Sequence, residues 1–209
     1  LHEPYRRQRQ MCIRDRFSKD SRYRTELYKL RRKFMSHADG LIHADLHTSN
    51  IMASRDKMKV IDMEFAFMGP FGYDLGYLVG NLISQYCAAC FKRFPSEQNR
   101  KQFKAYLLAT IQSLIETYMK TFTLCWERSV KERYRGQQGL LQSILQEVMV
   151  DMPGYASMVN WFRSVSEIPY PDFDVIENKD AKRNATVLSL MIDWGIMFGR
   201  YKYQSADDL

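Results

Sequence analysis

Apolar side chains recur at three- and four-residue steps along most of this chain, and that spacing predicts amphipathic helices. The helices are predicted over residues 20–38, 74–91, 96–133, 138–150, 156–165 and 179–203. Gly40 is predicted to end the first helix in a positive-φ conformation, and Asp74 to cap the second. The sequence Met-Pro-Gly predicts a turn at 152–154. Residues 168–176 are predicted to be extended, because each proline there disfavours helix in the residue before it.

The segment between the first two helices has a different pattern. Residues 50–54 and 58–62 are short apolar runs, and the charged residues Arg55–Lys57 separate them, which predicts a small β-hairpin. The following stretch, EFAFMGPFGY, contains glycine and proline and is predicted to be a loop. The predicted fold class is therefore α+β, with a mostly helical domain and one hairpin near its start.

The positive charge of the chain is concentrated at its beginning. The net charge is +7, but residues 1–34 contain twelve Lys and Arg against four Asp and Glu, whereas the rest contains nineteen against twenty. Residues 1–18 are therefore predicted to be a basic segment that is disordered or artefactual, and 19–209 to be one domain. This distribution does not favour nucleic acid as a partner. The chain has no apolar run long enough to span a membrane.

The cysteine pattern does not indicate a disulfide framework or a zinc site. Cys87 and Cys90 form a single C-x-x-C inside a helical pattern, with no second pair at zinc spacing. They are predicted to be reduced thiols, which favours a cytoplasmic protein.

Polar residues that suit phosphoryl transfer from ATP lie on both sides of the predicted hairpin. Asp45 and Asn50 precede it with a five-residue spacing, as the base and a metal ligand do in protein kinases, and Asp62 and Glu64 follow it. Such a transfer needs a carboxylate that orients the acceptor hydroxyl and oxygen ligands for Mg²⁺. Asp45 is therefore predicted to be the catalytic base, and Asp62, Glu64 and Asn50 to bind Mg²⁺ and the nucleotide.

Three neighbouring residues are predicted to support this set. His43 is expected to hold the catalytic loop by hydrogen bonds. Asp74 either caps its helix or braces the catalytic loop from behind, and the sequence leaves both roles open. His47 is interpreted as a loop residue rather than a substrate contact.

The segments LIHADLHTSNIM and VIDMEFAFMGPFGYDLGYLVGNLI resemble the 5-methylthioribose kinases, within the aminoglycoside phosphotransferase and choline kinase-like superfamily. The superfamily has H-G-D-x-H-x-x-N followed by I-D-x-E/D, and EFAFMGPFGYDLG is similar to a pattern specific to the methylthioribose kinases. The resemblance covers about residues 23–203 and is strongest over 41–83. It implies a protein kinase-like fold, of which this chain is the C-terminal lobe.

The resemblance implies ATP-dependent phosphorylation of 5-methylthioribose to 5-methylthioribose 1-phosphate in methionine salvage. It implies that Asp45 contacts the sugar substrate and that Asp62 and Glu64 form the D-x-E metal and nucleotide site. The family's paired arginines bind substrate, and counting without gaps places Phe162 and Arg163 at those positions, so Arg163 is the remaining candidate. Homodimers are common in that family, which makes a homodimer an open expectation for this chain.

Several positions depart from the family pattern and leave the substrate open. Ala44 replaces glycine, Met63 replaces proline, Asn50 replaces serine, and Phe162 replaces one arginine. The alternatives are another small-molecule hydroxyl kinase, of the aminoglycoside, choline or homoserine kinase type, or a non-catalytic pseudokinase module.

The sequence ahead of His43 contains no glycine-rich loop and no strand lysine to hold the ATP phosphates. We therefore expect the N-terminal lobe to be missing and to be the partner of this chain. The chain alone is expected to bind ATP weakly and to be inactive.

Overall fold

The computed structural model describes residues 19–166 and 170–208. Within these ranges the chain forms six α-helices: α1 (Ser21–Ser36), α2 (Gly72–Ala89), α3 (Glu97–Ser129), α4 (Gln138–Val165), α5 (Pro171–Asp174) and α6 (Lys179–Gly199). Four three-residue strands form two antiparallel pairs, β1 (Gly40–Ile42) with β4 (Phe67–Gly69) and β2 (Ile51–Ala53) with β3 (Met58–Val60). The predicted class, a mostly helical protein with a small hairpin, is confirmed. The predicted basic segment 1–18 lies outside the described residues.

The predicted hairpin is confirmed as β2 and β3, which are joined by a turn in which the Ser54 N–H donates to the Lys57 carbonyl oxygen at 2.8 Å. The second strand pair was not predicted. Phe67–Gly69, which the sequence indicated as loop, pairs with β1 so that Leu41 lies opposite Met68. The prediction for Gly40 is wrong, because α1 ends at Ser36 and Gly40 is part of β1.

Helix α4 is continuous where the sequence predicted a turn. Pro153 lies inside the helix, although proline removes one helical hydrogen bond. Met152, Tyr155 and Ala156 are all buried around it. The packing of this buried turn outweighs the local preference of Met-Pro-Gly for a turn.

The prediction of extended chain over 168–176 is also wrong in part. Pro171–Asp174 forms the short helix α5, with Pro171 in its first turn, where the missing N–H of proline costs nothing. Residues 168 and 169 lie outside the described part of the chain.

Helix α2 lies at the centre of the core and packs against α3, α4 and α6. Gly76 and Gly80 allow its close approach to α4. A Cβ atom at Gly76 would lie 2.6 Å from the Met152 carbonyl oxygen, and one at Gly80 would lie 2.5 Å from the Ala156 carbonyl oxygen. Cys87, in the last turns of this helix, is a fully buried free thiol, and Cys90 is also free, as predicted. In the described part of the chain, none of the helices combines the length and hydropathy that crossing a bilayer requires.

A buried polar layer connects α2, α4 and α6. Asn160 accepts a hydrogen bond from the Ser84 hydroxyl at 2.8 Å and donates through Nδ2 to Asp193 Oδ1 at 2.7 Å. Asp193 is fully buried, and its Oδ2 has no hydrogen-bond partner within residues 19–166 and 170–208. Burial raises the pKa of Asp193 well above its usual value, because loss of solvation disfavours the charged form of the carboxyl.

Asp193→Asn is expected to stabilise the chain in a pH-dependent manner. In the unfolded chain Asp193 ionises with a pKa of about 3.9, so its contribution to stability is greatest below that pH and declines as the pH rises towards the higher folded-state pKa. Asparagine is neutral in both states and keeps the Oδ1 acceptor for Asn160. We expect the free energy of unfolding to rise by about 1–3 kcal/mol near pH 8 and to change little near pH 4.

Urea denaturation at both pH values measures this difference. Asp193→Ala is the control, because it removes the acceptor and leaves a cavity, and it should destabilise the chain at both pH values. A difference between Asp193→Asn and the unsubstituted chain that did not depend on pH would contradict a neutral buried Asp193.

Candidate active site

The loop between β1 and β2 is held by the first turn of α2. Both oxygens of Asp74 accept backbone hydrogen bonds from this loop, Oδ2 from the His43 N–H at 2.6 Å and Oδ1 from the Ala44 N–H at 3.0 Å. Ala44 has a φ of 67°, in the left-handed region that side chains other than glycine disfavour. The two hydrogen bonds to Asp74 offset the cost of this conformation.

These contacts decide between the two roles that the sequence left open for Asp74. The cap position of α2 is Phe71, and Asp74 lies inside the first turn, so the prediction of an N-cap is wrong. Asp74 braces the loop instead. Burial raises the pKa of Asp74, and the N–H donors of His43 and Ala44 oppose that rise.

His43 connects the loop to the end of the hairpin. Its side chain is buried, its Nε2 lies 2.8 Å from the Ile61 carbonyl oxygen, and its Nδ1 accepts from the Asp45 N–H at 3.3 Å. The two contacts together require a neutral ring with the proton on Nε2. His43 thereby holds the backbone of Asp45 next to the residue that precedes Asp62.

Asn50 makes a second connection between the same two segments. Its Nδ2 donates to the Asp45 carbonyl oxygen at 3.0 Å, and its own carbonyl oxygen accepts from the Ile61 N–H at 3.0 Å. The residue is buried, and no hydrogen bond to its Oδ1 is present in the described part of the chain. This amide oxygen therefore has the chemistry of a metal ligand.

Asp62 and Glu64 are exposed and follow directly after the hairpin. Asp62 has a φ of 66°, so the chain turns sharply at this carboxylate. No cluster of three or more His, Cys, Asp or Glu side chains with metal-binding geometry occurs within 19–166 and 170–208. Mg²⁺ takes one or two carboxylates and keeps several waters, so Asp62, Glu64 and the Asn50 amide fit it as a donor set. Their metal and nucleotide roles stay predictions.

Asp45 has a different side-chain contact on each carboxylate oxygen. Tyr77 donates its hydroxyl to Asp45 Oδ1 at 2.8 Å, and His47 Nε2 lies 3.4 Å from Oδ2. The Asp45 side chain remains 28% exposed. Tyr77 was not among the site residues predicted from the sequence. It lies one helical turn after Asp74 and therefore faces the same loop.

A cavity of about 630 Å³ lies next to this loop, and Tyr77 belongs to its wall. That volume is in the range of small-molecule sites. Eight of the lining residues are aromatic, three are arginines, and none is acidic. The lining residues come from α1 (Arg24, Leu27, Tyr28, Arg31 and Phe34), α2 (Tyr73 and Tyr77) and α4 (Tyr155, Met158, Val159, Trp161, Phe162 and Arg163), together with Tyr170.

Arg163, the predicted substrate contact, lies in the wall of this cavity. Its Nε donates to Asp172 Oδ2 at 2.6 Å, and its guanidinium lies 4.6 Å from the centre of the Tyr170 ring. Asp172 is buried and also accepts a hydrogen bond from Gln85. The ion pair fixes the direction of the guanidinium along the wall. Phe162, at the position of the second family arginine, is 46% exposed and lies in the same wall.

The sequence profile of the phosphotransferase enzyme family matches residues 3–115 of this chain, which is more than half of its length. The chain belongs to the phosphotransferase enzyme family. The matched part of this chain includes Asp45, Asn50, Asp62 and Glu64, whereas Arg163 lies beyond it.

Curated relatives of this family member are methylthioribose kinases. The chain is 33% identical to the methylthioribose kinase of Geobacillus thermodenitrificans over 189 residues, which are 90% of this chain and 45% of that protein. It is 33% identical to that of Geobacillus kaustophilus over 190 residues, 91% of this chain and 46% of the relative. It is 29% identical to that of Exiguobacterium sibiricum over 195 residues, which are 93% of this chain and 48% of that protein. The chain thus spans about half the length of the curated relatives it matches.

Proposed function

We propose that this phosphotransferase transfers the γ-phosphoryl group of ATP to the anomeric hydroxyl of 5-methylthioribose, producing 5-methylthioribose 1-phosphate in methionine salvage. The observation that carries the proposal is the position of Asp45, which is held by hydrogen bonds beside an aromatic cavity. The names of the relatives support the choice of substrate.

In the proposed reaction Asp45 accepts a hydrogen bond from the acceptor hydroxyl and orients its oxygen towards the γ-phosphorus. A bond forms between these two atoms, the bond from the γ-phosphorus to the bridging β–γ oxygen breaks, and ADP leaves with the bonding electrons. The hydroxyl proton moves to Asp45 and then to solvent. Because the transition state of such transfers is loose, positioning contributes more than the basicity of the carboxylate.

His43 and Asn50 keep the backbone of Asp45 in place, and Asp74 holds the loop from the other side. Mg²⁺, which Asp62, Glu64 and Asn50 would hold, supplies neutralisation of the phosphate charge when it is bound. The residues of this chain therefore divide into a rigid group around the acceptor hydroxyl and an exposed group of oxygen donors towards the nucleotide.

The walls of the cavity favour a neutral acceptor with an apolar end. Aromatic rings suit the methylthio group of 5-methylthioribose, because sulfur makes favourable contacts with aromatic rings. Arg24 and Arg31 repel cations, Asp172 balances the charge of Arg163, and no carboxylate lines the described part of the wall. The polycationic aminoglycosides and the quaternary ammonium of choline are therefore disfavoured.

A panel of acceptors tests the proposal. The protein at its full natural length is incubated with ATP, Mg²⁺ and either 5-methylthioribose, choline, an aminoglycoside or homoserine, and the phosphorylated product is followed by ³¹P NMR. We expect kcat/KM for 5-methylthioribose to exceed the other values by at least about 100-fold. The 209-residue chain assayed alone is expected to show negligible turnover.

A higher kcat/KM for any other member of the panel would overturn the proposed substrate and leave the kinase function standing. Absence of transfer to all four acceptors would overturn the kinase function and favour a non-catalytic module. Ordinary turnover by the 209-residue chain alone would show that it contains every group that holds ATP.

A further inference from the structure

Tyr77 is the side chain through which Asp45 and the cavity meet. Its ring lies in the cavity wall and its hydroxyl donates to Asp45 Oδ1 at 2.8 Å. The two residues are 32 positions apart in the chain, so the contact exists only because α2 packs beneath the loop.

The Tyr77 ring has two ring neighbours, Tyr73 and His47. The centre of the Tyr73 ring lies 6.0 Å from its own, and the centre of the His47 ring lies 6.5 Å away. Asp74, one helical turn earlier on α2, holds the backbone of the loop. Helix α2 thus holds the backbone of the loop through Asp74 and the side chain of Asp45 through Tyr77. The Asp45 carboxylate therefore has little freedom to rotate.

The hydrogen bond from Tyr77 makes the two oxygens of Asp45 different. Oδ1 is engaged by a neutral donor, whereas among the described residues the only polar side-chain atom recorded beside Oδ2 is the His47 ring nitrogen, at 3.4 Å. That distance is longer than a normal hydrogen bond between nitrogen and oxygen. Oδ2 is therefore the oxygen that is open to the hydroxyl of an acceptor.

We propose that Tyr77 is a positioning residue that directs Asp45 Oδ2 towards the acceptor hydroxyl. This inference rests on the proposed role of Asp45 as the base. Burial and the hydrogen bond to Asp45 both raise the pKa of Tyr77, so the phenol remains a donor across the physiological pH range. A loose transition state depends more on the position of the carboxylate than on its basicity, so orientation is what the bond from Tyr77 supplies.

Tyr77→Phe tests this role, because it removes the hydroxyl and keeps the ring in the cavity wall. In the protein at its full natural length we expect kcat to fall by about 10- to 100-fold, since a misdirected base lowers the fraction of reactive complexes. KM for the acceptor is expected to change little, because the contact surface is retained. A purely structural loss would lower the amount of folded protein and leave kcat per folded molecule unchanged.

Tyr118→Phe is the matched control. Tyr118 is a partly buried tyrosine on α3 whose hydroxyl donates to the Phe71 carbonyl oxygen at 2.9 Å, and it is not among the described residues that line the cavity. The Tyr118→Phe variant loses one phenol hydrogen bond, as Tyr77→Phe does. It therefore reports how much the loss of such a bond lowers the stability of the fold. We expect kcat and KM of Tyr118→Phe to equal those of the unsubstituted protein.

A second measurement needs no activity. In the chain labelled with ¹³C at the tyrosine Cζ, the signal absent from Tyr77→Phe identifies Tyr77, and the hydrogen–deuterium isotope shift reports how fast its hydroxyl exchanges. We expect slow exchange, and faster exchange in Asp45→Ala, which removes the acceptor. Equally fast exchange in both would overturn the inference.

The kinetic outcomes are also decisive. Equal kcat in Tyr77→Phe and the unsubstituted protein would overturn the positioning role and leave the proposed function intact. Failure of the unsubstituted protein to phosphorylate any acceptor would overturn the proposed function, and this inference with it.

Discussion

Asp45→Asn is expected to lower kcat/KM for phosphoryl transfer by about 10²- to 10⁴-fold without unfolding the protein. Asparagine has the size of aspartate, and its Oδ1 can still accept the Tyr77 hydroxyl, so the loop should keep its conformation. An amide cannot take the proton of the acceptor hydroxyl, and its NH₂ group presents a donor where the hydroxyl needs an acceptor. Steady-state kinetics with 5-methylthioribose in the protein at its full natural length measure the loss.

Asp56→Asn is the control for this substitution. Asp56 lies in the exposed turn of the β2–β3 hairpin and undergoes the same change of charge and shape. We expect its kcat/KM to stay within about twofold of the unsubstituted protein, as for most surface changes away from a site. Unchanged transfer by Asp45→Asn would show that Asp45 is not the base.

Gly76→Ala is expected to reduce the free energy of unfolding by about 3 kcal/mol, the upper end of what overpacking a core usually costs. The added Cβ would lie 2.6 Å from the Met152 carbonyl oxygen and 2.7 Å from Tyr155 Cβ. The first of these is a backbone atom inside α4, so it cannot turn aside as a flexible side chain could. To relieve the clash, α2 and α4 would have to separate.

Gly195→Ala is a close counterpart, because it makes the same substitution in the interior of another helix. Gly195 is exposed on α6, and apart from its own chain neighbours and helix backbone no atom of the described residues lies within 4 Å of the position of its Cβ. Alanine there should raise the free energy of unfolding by about 0.5–1 kcal/mol, since it restricts the unfolded chain. Urea denaturation followed by circular dichroism measures the free energy of unfolding of both variants. If the two variants shifted stability in the same direction, close packing at Gly76 would not be the controlling factor.

The consequence of a looser α2 for function follows from what the helix carries. Asp74, which holds the loop backbone, and Tyr77, which donates to Asp45, both project from its first two turns. The Gly76→Ala variant should therefore lose transfer activity in its folded fraction as well as stability. This links the packing of glycine against α4 to the geometry of Asp45.

Much of the secondary structure could be predicted because it depends on neighbours in the chain. The β2–β3 hairpin and the helices α1, α2, α3 and α6 follow from apolar spacing within windows of ten to twenty residues. The errors occur where tertiary contacts outweigh local preference. Pro153 lies within a continuous α4 because its neighbours are buried against α2, and Gly40 belongs to a strand because Phe67–Gly69 pairs with it.

The residues of the candidate site also divide into those that the sequence predicts and those that only tertiary contacts reveal. Spacing alone predicted Asp45, Asn50, Asp62 and Glu64 as candidates, because phosphoryl transfer needs those residue types in that order. Spacing could not identify Tyr77, since a tyrosine on an amphipathic helix is ordinarily a core residue. It also could not show that Arg163 is paired with Asp172.

The sequence by itself therefore determined that the fold is a helical domain with one hairpin, and it predicted candidate residues for phosphoryl transfer on both sides of that hairpin. Only the tertiary structure decided that Asp74 braces the loop, that Tyr77 engages one oxygen of Asp45, and that an aromatic cavity lies beside them. The physical reason is the separation along the chain between the residues that interact. Periodicity and motif spacing reflect the chain within one or two helical turns, whereas these contacts join residues some thirty positions apart and form only when α2 packs against α4.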